Sequence, residues 1–503
     1  MTYPHKNETA VRTARGAWRR ALKYFALAVL GLVVLFGGLL TFVAVRPDAP
    51  PFDDSAMLPN RPQAPEGQNG YELLMNALHA HDDYVKSDFY QNIRHACDDR
   101  RDFRDMKGKR LHNLQKKYQA AYQESSRILN SYEYFIAPEH VFEEMVRESR
   151  VNYLSFREMA RYAMILAWYE ARGNNPGQAV IHVEFALNLG SVMMNSHGSL
   201  IHLMIGVADQ QVALEEINEM FRRGVLPQSS LQQLSQILKE NTPSPENWSQ
   251  VIKVEYELVK DAIISLTTVE ERSNNAIEKL VKLLFYKPQL YMAGIYPFFE
   301  MLIVMEDKPL KEFPDDSVIH VCNNMSTFSK WISWIFSPSS SLGRVTGCSK
   351  FSIFARAGKR HIVHRVQYDL LTVKLAALMY RAAHGALPET LNALVPDYLD
   401  AVPADLMDGA PLRYDPARAL VWSVGLDFKD DHGAADAYIL EWDPASLAPD
   451  EPDRKREKPK KGKSGSSRKS GPRITDPIRQ ESGDMVLRID PEITDSLKTG
   501  GKL

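Results

Sequence analysis

The chain has 503 residues, with 61 Lys or Arg and 63 Asp or Glu, so its formal net charge is −2. This length is more than one hydrophobic core usually serves, and we expect two or more folded parts joined by linkers. The near balance of charges excludes a whole-chain argument for an acidic substrate or a nucleic acid, and no nucleic-acid partner is expected.

Residues 24–45, "YFALAVLGLVVLFGGLLTFVAV", carry no charge. At about 1.5 Å per residue they are long enough to cross the roughly 30 Å of a bilayer's hydrocarbon layer, which predicts a single transmembrane helix. A cleaved signal peptide is the alternative, but its apolar core should be about 7–15 residues long and end in an A-x-A pattern that "FVA" lacks.

The charges on either side of this span predict its orientation. Residues 1–23 form a basic tail with six Lys or Arg and one Glu, whereas the first charges after Arg46 are acidic. The positive-inside rule therefore places the tail in the cytoplasm and the bulk of the chain in the periplasm, which is the topology of a bacterial inner-membrane protein. The expected partners are the lipid bilayer, through this helix, and other envelope proteins.

Composition divides the next part of the chain. Residues 46–66 contain six prolines, which predict a stiff, extended stalk. Residues 67–306 carry apolar residues at three- and four-residue spacing with breakers between runs, which predicts a helical bundle or short solenoid. Residues 307–360 are rich in Pro and Ser and are interpreted as a connector with short helices.

One stretch of the helical domain is clearer than the rest. "FREMARYAMILAWYEARGNNPGQAVIHVEFALNLGSVM" predicts two antiparallel helices joined at "GNNPG". Residues 152–190 loosely resemble a tetratricopeptide repeat, but no second copy is convincing. The chain has three cysteines, Cys97, Cys322 and Cys348; pairing of the last two and free buried thiols are both open.

The character changes after residue 360. "VHRVQYDLLTVKLAALMYRAAHG" predicts an amphipathic helix ending at Gly385, and "ALVWSVG" and "AYILEW" are typical of strands. We predict a small α+β head at residues 361–443. Residues 444–503 are predicted to be a disordered basic tail, because residues 454–473 hold ten Lys or Arg against one Glu, although "DMVLRIDPEI" suggests a short strand or docking segment.

Residues 363–442 resemble the globular head of the major pseudopilin of type II secretion systems. The family's turn is matched by Asp405, Gly409, Pro411 and Tyr414. The start of its calcium loop is matched by Ser423, Gly425 and Asp427, and the end of that loop by Asp436, Ile439 and Trp442. Leu406, an extra residue before Gly409, and Tyr438 depart from the pattern. About 320 residues separate the membrane span from this head, so the chain is not an ordinary filament subunit.

The loop after "VWSVG" is the candidate metal site. Calcium takes 6–8 oxygen ligands from carboxylates, hydroxyls and carbonyls, and the predicted set is Ser423, the carbonyl of Val424, Asp427, Asp430, Asp431 and Asp436. An EF-hand does not fit, because His432 and Tyr438 stand at the sixth and twelfth positions from Asp427. A solvated acidic turn is the alternative, since Asp and Gly favour turns without any metal.

Other chemistry finds little support. The pairs His79 with His81 (beside Asp82 and Asp83) and His361 with His364 lack the further ligands that a zinc site needs. None of the common nucleophile, metalloprotease, P-loop or dinucleotide motifs is present, and no catalytic residue is assigned.

These observations predict a mainly α, membrane-anchored protein. We expect a non-enzymatic scaffold or accessory component that contacts envelope or secretion proteins through its helical domain and pseudopilin-like head. The alternatives are a hydrolytic enzyme, which requires acid and base groups converging near Glu255 or His202, and a solenoid that binds a small ligand or peptide.

Overall fold

The computed structural model describes residues 7–45, 47–79, 107–138, 154–268, 287–305, 308–313, 338–433 and 485–489. Within these ranges the protein has ten α-helices and one three-stranded sheet, so the mainly α prediction is confirmed. The helices are α1 (Asn7–Val45), α2 (Tyr71–His79), α3 (Gly108–Ser131), α4 (Leu154–Arg172), α5 (Pro176–Met194), α6 (Leu200–Arg222), α7 (Leu231–Glu240), α8 (Glu246–Thr268), α9 (Pro288–Ile303) and α10 (Pro338–His384). The strands are β1 (Arg413–Asp415), β2 (Leu420–Ser423) and β3 (Met485–Arg488).

The chain forms two compact units. The first comprises Met1–Ala56, Val259–Phe299 and Asp315–Phe351, and the second comprises Met57–Leu258, Glu300–Pro314 and Ser352–Leu503.

Helix α1 contains the predicted membrane span. Its segment Leu22–Leu39 is long and apolar enough to cross a membrane and has none of its side chains buried in the protein. The whole helix has 39 residues and is therefore about 58 Å long, which is more than a hydrocarbon layer requires. It begins at Asn7 and includes much of the predicted basic tail.

The proline-rich segment is extended, as its composition predicts, but it packs against helices. In the first unit the Asp48 carboxylate accepts the backbone N–H groups of Gln289 and Leu290 at 2.9 and 3.0 Å, where α9 has N–H groups without helical partners. Lys260 donates to Asp54 at 2.6 Å in the same unit. A free-standing stalk is therefore not what these residues form.

The same holds for the part of this segment in the second unit. Asn60 and Gln250 exchange two hydrogen bonds of 2.9 and 2.6 Å, and Arg61 forms an ion pair with Glu257. The side chain of Met57 is 2% exposed. The contacts of Asn60 and Arg61 with α8 therefore hold this stretch against the rest of the second unit.

The predicted connector differs from the structure at its carboxyl end. Helix α10 begins at Pro338 and continues through "PSSSLG", although the composition of this stretch predicts a linker. Proline is tolerated in the first turn of a helix, because its missing N–H has no helical partner there. Gly343 is required by packing, since a Cβ at this position would lie 2.2 Å from the Tyr291 carbonyl oxygen of α9. Cys348 in this helix forms a disulfide whose partner lies outside the described residues.

Helices α4 and α5 are the predicted antiparallel pair. Asn174 adopts a left-handed conformation (φ 60°) between them, and Pro176 begins the second helix. Alanines at their contact, among them Ala163 and Ala179, are fully buried. Helix α6 packs equally closely, since a Cβ on Gly206 would lie 2.4 Å from the Gly190 carbonyl oxygen.

The sheet has the order β1-β2-β3 and is antiparallel throughout. The central strand comes from the predicted "ALVWSVG", and its Trp422 lies opposite Arg413 on one side and Val486 on the other. Strand β3 comes from "DMVLRIDPEI", so the strand expected there is confirmed. The disorder predicted for residues 444–503 is wrong at 485–489, because Met485, Val486 and Leu487 bury their side chains in this pairing. The predicted strand "AYILEW" lies outside the described residues.

Candidate functional site

Asp405 organises the turn that leads into the sheet. Its side chain is fully buried. Oδ1 accepts the Ser423 hydroxyl at 2.8 Å and the Met407 N–H at 3.0 Å, while Oδ2 accepts the Val424 N–H at 3.0 Å and Arg413 Nη1 at 2.6 Å. Burial raises the pKa of Asp405 above its usual value, and these four donors oppose that rise. The carboxylate therefore ties β2 to the turn before β1.

Arg413 is the cation at the centre of this turn. Besides Asp405, its guanidinium binds both oxygens of Asp408, one of them at 3.2 Å, and its Nε lies 3.9 Å from Asp430 Oδ2. A planar guanidinium matches carboxylates in this two-pronged way. Three carboxylates are thus arranged around one arginine, which we call the arginine–carboxylate cluster.

The turn positions matched to the pseudopilin pattern lie together in this region. Gly409 has a φ of 82°, in the left-handed region that favours glycine, and its N–H donates to the Asp405 carbonyl oxygen at 2.7 Å. Pro411 forms an isolated bridge with Ala404, and the Tyr414 hydroxyl donates to the Pro388 carbonyl oxygen at 2.9 Å.

Three of the predicted calcium ligands, Ser423, Asp427 and Asp430, form hydrogen bonds within the protein. The Ser423 hydroxyl donates to Asp405, and Asp430 Oδ1 accepts the Trp422 indole N–H at 3.0 Å and the His432 N–H at 2.9 Å. Asp427 Oδ1 accepts the Lys429 N–H at 3.2 Å.

Val424 and Asp431 belong to the same loop, and Asp436 lies outside the described residues. Within the described ranges, no three His, Cys, Asp or Glu side chains converge as metal ligands. These residues do not by themselves fit a calcium cage, because the oxygens of Ser423 and Asp430 hold other partners, and calcium stays a prediction.

The histidine pair on α10 is part of the protein core. His361 and His364 are both fully buried, and His364 Nε2 lies 2.9 Å from Gln210 Oε1. Burial lowers the pKa of each to about 3. Both are therefore neutral side chains of the protein core rather than solvated or helix-capping histidines. Of the other pair, His79 ends α2, and His81, Asp82 and Asp83 lie outside the described residues.

His202 and Glu255 do come together, at the amino end of α6. His202 Nδ1 accepts the Ser199 N–H at 3.1 Å in a capping arrangement, and its Nε2 lies 2.6 Å from the Tyr71 hydroxyl. Glu255 Oε1 accepts the Leu200 N–H at 2.9 Å. Both side chains thus bind the N–H groups that a helix start leaves without partners, which is a structural role.

An open groove of about 1010 Å³ was not anticipated from the sequence. It lies in the second unit between α7, the carboxyl end of α10 and the segment that follows Pro396. The exposed face of α7 and the turn before it offer amides and hydroxyls to the groove, from Gln228, Ser229, Gln232, Gln233, Ser235 and Gln236. Tyr398 is half-buried beside them, its ring edge-on to Tyr380 at 5.7 Å between centroids.

A sequence signal for this groove exists in "LQQLSQILKE". Leu231, Leu234, Ile237 and Leu238 are buried, and every residue between them is polar. This pattern predicts a surface helix with one amide-rich face. It does not predict which segments stand opposite that face, because these come from about 150 residues later in the chain.

Two acids with raised pKa values were also missed. Asp209 on α6 is fully buried, neither of its side-chain oxygens has a hydrogen-bond donor, and burial raises its pKa well above the usual value. Burial raises the pKa of Asp369 on α10 to about 7, with a further contribution from Asp405. An Asp within a helical pattern is expected on the exposed face, so the sequence pattern does not mark either residue as unusual.

No known protein family, curated protein or solved structure matches this chain.

Proposed function

We propose that this protein is a non-enzymatic, membrane-anchored scaffold of the bacterial envelope that binds a partner protein in the groove beside α7. The groove itself is the observation that carries the proposal. Its volume of about 1010 Å³ and its row of amide and hydroxyl side chains are suited to hydrogen bonding along a polypeptide.

The distribution of titratable groups supports binding over catalysis. Among the described residues, the histidines and the acid with the largest pKa shifts, namely His361, His364 and Asp209, are sealed in the core, where no substrate reaches them. His202 and Glu255, where a hydrolytic site was sought, bind the start of a helix. Catalytic groups must instead lie within reach of a substrate.

Helix α1 supports the anchoring. Its apolar surface is exposed along Leu22–Leu39, which is what a lipid-facing helix requires. With the basic residues on its amino side, the positive-inside rule directs everything after residue 46 to the periplasm. The disulfide at Cys348 supports an oxidising compartment.

The pseudopilin-like head supports a partner within secretion or pilus-type machinery. The left-handed glycine turn and the strand hairpin are features that the resemblance implies. Fold likeness does not fix function, so the direct test is to identify the partner.

A photoreactive amino acid in place of Gln233, in the full chain within native membranes, tests the proposal. Gln123 is the matched control, because it is also an exposed glutamine on a helix of the second unit but does not line the groove. We expect one reproducible envelope-protein adduct from position 233 and none from position 123. Equal adducts from both positions, or no adduct from either, would contradict the proposal.

A further inference from the structure

The charge of the groove narrows the kind of occupant it accepts. Four carboxylates line it, from Glu184, Glu240, Asp397 and Asp400, against the single ammonium of Lys239. That lysine is already paired with Asp400 at 2.7 Å in a solvent-exposed ion pair. The groove therefore presents a net negative surface to whatever enters it, which favours a cationic occupant.

Two of these carboxylates repel each other. Burial raises the pKa of Glu184 above its usual value, and the nearby charge of Glu240 raises it further. Glu240 also accepts the Gln236 side-chain N–H at 2.7 Å, which holds it at the rim of the groove. A cation between the two acids would relieve this repulsion and stabilise both charges.

The chain itself carries a segment of the complementary charge. Residues 454–473 contain ten Lys or Arg and one Glu, and they lie in the chain between Gly433 and the start of β3 at Met485. Glycine, serine and proline make up all of the remainder, so the segment has no large apolar residues with which to build a core.

The tethers are long enough for the segment to reach the groove. Extended chain covers up to about 3.6 Å per residue, so residues 434–453 reach about 70 Å and residues 474–484 about 40 Å. The Tyr414 hydroxyl in the hairpin binds the Pro388 carbonyl oxygen, and Pro396 at the groove is eight residues further on, hence within about 29 Å of Pro388. The hairpin that holds both tethers is thus near the groove.

We propose that the groove beside α7 binds the protein's own basic segment, residues 454–473, through its carboxylates and amide side chains. This inference rests on the same groove as the proposed function and adds its regulation. A tethered occupant acts at a high effective concentration, so a partner must compete with it. The polar amides of α7 accept and donate hydrogen bonds along an extended basic chain, and the carboxylates set its charge preference.

Zero-length carbodiimide cross-linking of the full chain in detergent, followed by peptide mass spectrometry, tests this. We expect lysines of residues 454–473 to couple to Glu240 and Asp397. Charge reversal by Glu240→Lys and Asp397→Lys, both exposed positions, removes two of these acceptors. A second cross-link reports how often residues 454–473 still occupy the groove. For this, cysteines in place of Gln233 and Ser466 are joined by a short bis-maleimide. The yield of this cross-link should fall about tenfold in the charge-reversed chain.

The matched control is the double variant Glu124→Lys, Glu133→Lys, which changes the net charge equally at exposed positions outside the groove. It should keep the full cross-link yield. If lysines 458–463 couple evenly to Glu124, Glu133 and the groove acids, or if both double variants lower the yield equally, the inference is overturned.

The photo-cross-link from position 233 separates this result from the proposed function. A partner adduct without any contact to residues 454–473 overturns the inference and leaves the proposed function intact. An adduct only to residues 454–473, in membranes that contain the envelope proteins, supports the inference and contradicts partner binding in the groove. Neutralising the ten basic residues to Gln or Ser should increase a partner adduct if both are correct.

Discussion

Two aspartates, one in the helical region and one in the head, show how differently a protein treats a buried carboxyl. Asp405 and Asp209 are both fully buried. Asp405 accepts three neutral donors and one arginine, whereas neither side-chain oxygen of Asp209 has a donor. Arg157 and Arg161 act on Asp209 only through their charge, and burial outweighs them. Burial is thus common to both and raises both pKa values, and the number of donors decides how far that rise is opposed.

The largest expected effect concerns Asp405. Asp405→Ala leaves the Arg413 charge partly unpaired and three buried donors without their acceptor, so we expect a loss of about 3–5 kcal/mol in the stability of the head. Amide hydrogen exchange at Met407 and Val424, together with the unfolding transition of the detergent-solubilised chain, measures it. Asp400→Ala is the control, because that side chain is 81% exposed and its ion pair is worth little. If Asp405→Ala and Asp400→Ala lower the stability equally, the hydrogen bonds of Asp405 do not stabilise the head as expected.

The second prediction concerns the pH dependence of Asp209. Because its folded-state pKa is raised, the folded protein holds this proton to higher pH than the unfolded chain does, so its contribution to stability falls as pH rises above about 3.8. Asp209→Asn should be neutral near pH 3.5 and stabilise the protein by about 1–3 kcal/mol at pH 7.

Melting temperatures from pH 3.5 to 7 measure this difference, with Asp400→Asn as the exposed control. Asp369, whose pKa burial raises to about 7, contributes with the same sign. If the melting temperature of Asp209→Asn still falls as pH rises, that fall should therefore become smaller when Asp369→Asn is added. A difference between wild type and Asp209→Asn that does not change with pH would show that Asp209 keeps the same charge throughout.

Glu255 provides an intermediate case, a half-buried carboxylate that accepts the Leu200 N–H at the start of α6. Glu255→Ala should cost about 1 kcal/mol, as the loss of a helix cap does, and Glu255→Gln should cost less because an acceptor oxygen remains. Thermal unfolding of both variants measures this. If Gln is as damaging as Ala, the charge at this helix end matters more than the hydrogen bond.

The smallest expected effect is that of calcium on the head loop. Binding to the folded loop raises stability by about 0.4 kcal/mol when the calcium concentration equals its Kd. Melting temperature with calcium or chelator, in wild type and in an Asp427→Ala, Asp436→Ala double variant, measures it. A rise confined to wild type supports the pseudopilin-type loop, and no rise in either contradicts it. Arg413→Ala sharpens the test, because removing the cation of the arginine–carboxylate cluster should increase the response to calcium.

Local patterns predicted the local elements. The uncharged run 24–45 lies in α1, "GNNPG" separates α4 from α5, and "ALVWSVG" contains β2, because each depends on neighbours within a few residues. The amphipathic helix was predicted from "VHRV" onwards, but α10 begins 25 residues earlier, at Pro338. Its glycines weaken helix propensity, and the close approach of α9 at Gly343 and Gly347 compensates for two of them.

These local patterns do not predict contacts between residues that are far apart in the chain. The proline-rich segment has the composition of a free linker, and the groups of α8 and α9 with which it forms hydrogen bonds come from residues about 190–240 positions away. Residue type alone predicts the candidate calcium ligands, but it does not indicate that Arg413 takes the central position among Asp405, Asp408 and Asp430. The groove likewise depends on segments far apart in the chain.

The pairing of β2 with β3 has a consequence for synthesis. Trp422 and its neighbours pair with Val486 and its neighbours, about 60 residues later. At roughly 5–20 residues per second, about 3–12 s pass between the emergence of the two strands. Throughout that interval one edge of an apolar strand has no hydrogen-bonding partner, and such an edge invites pairing with other chains. A ribosome that stalls within this stretch leaves a nascent chain with an incomplete sheet, which is a substrate for chaperones or proteases.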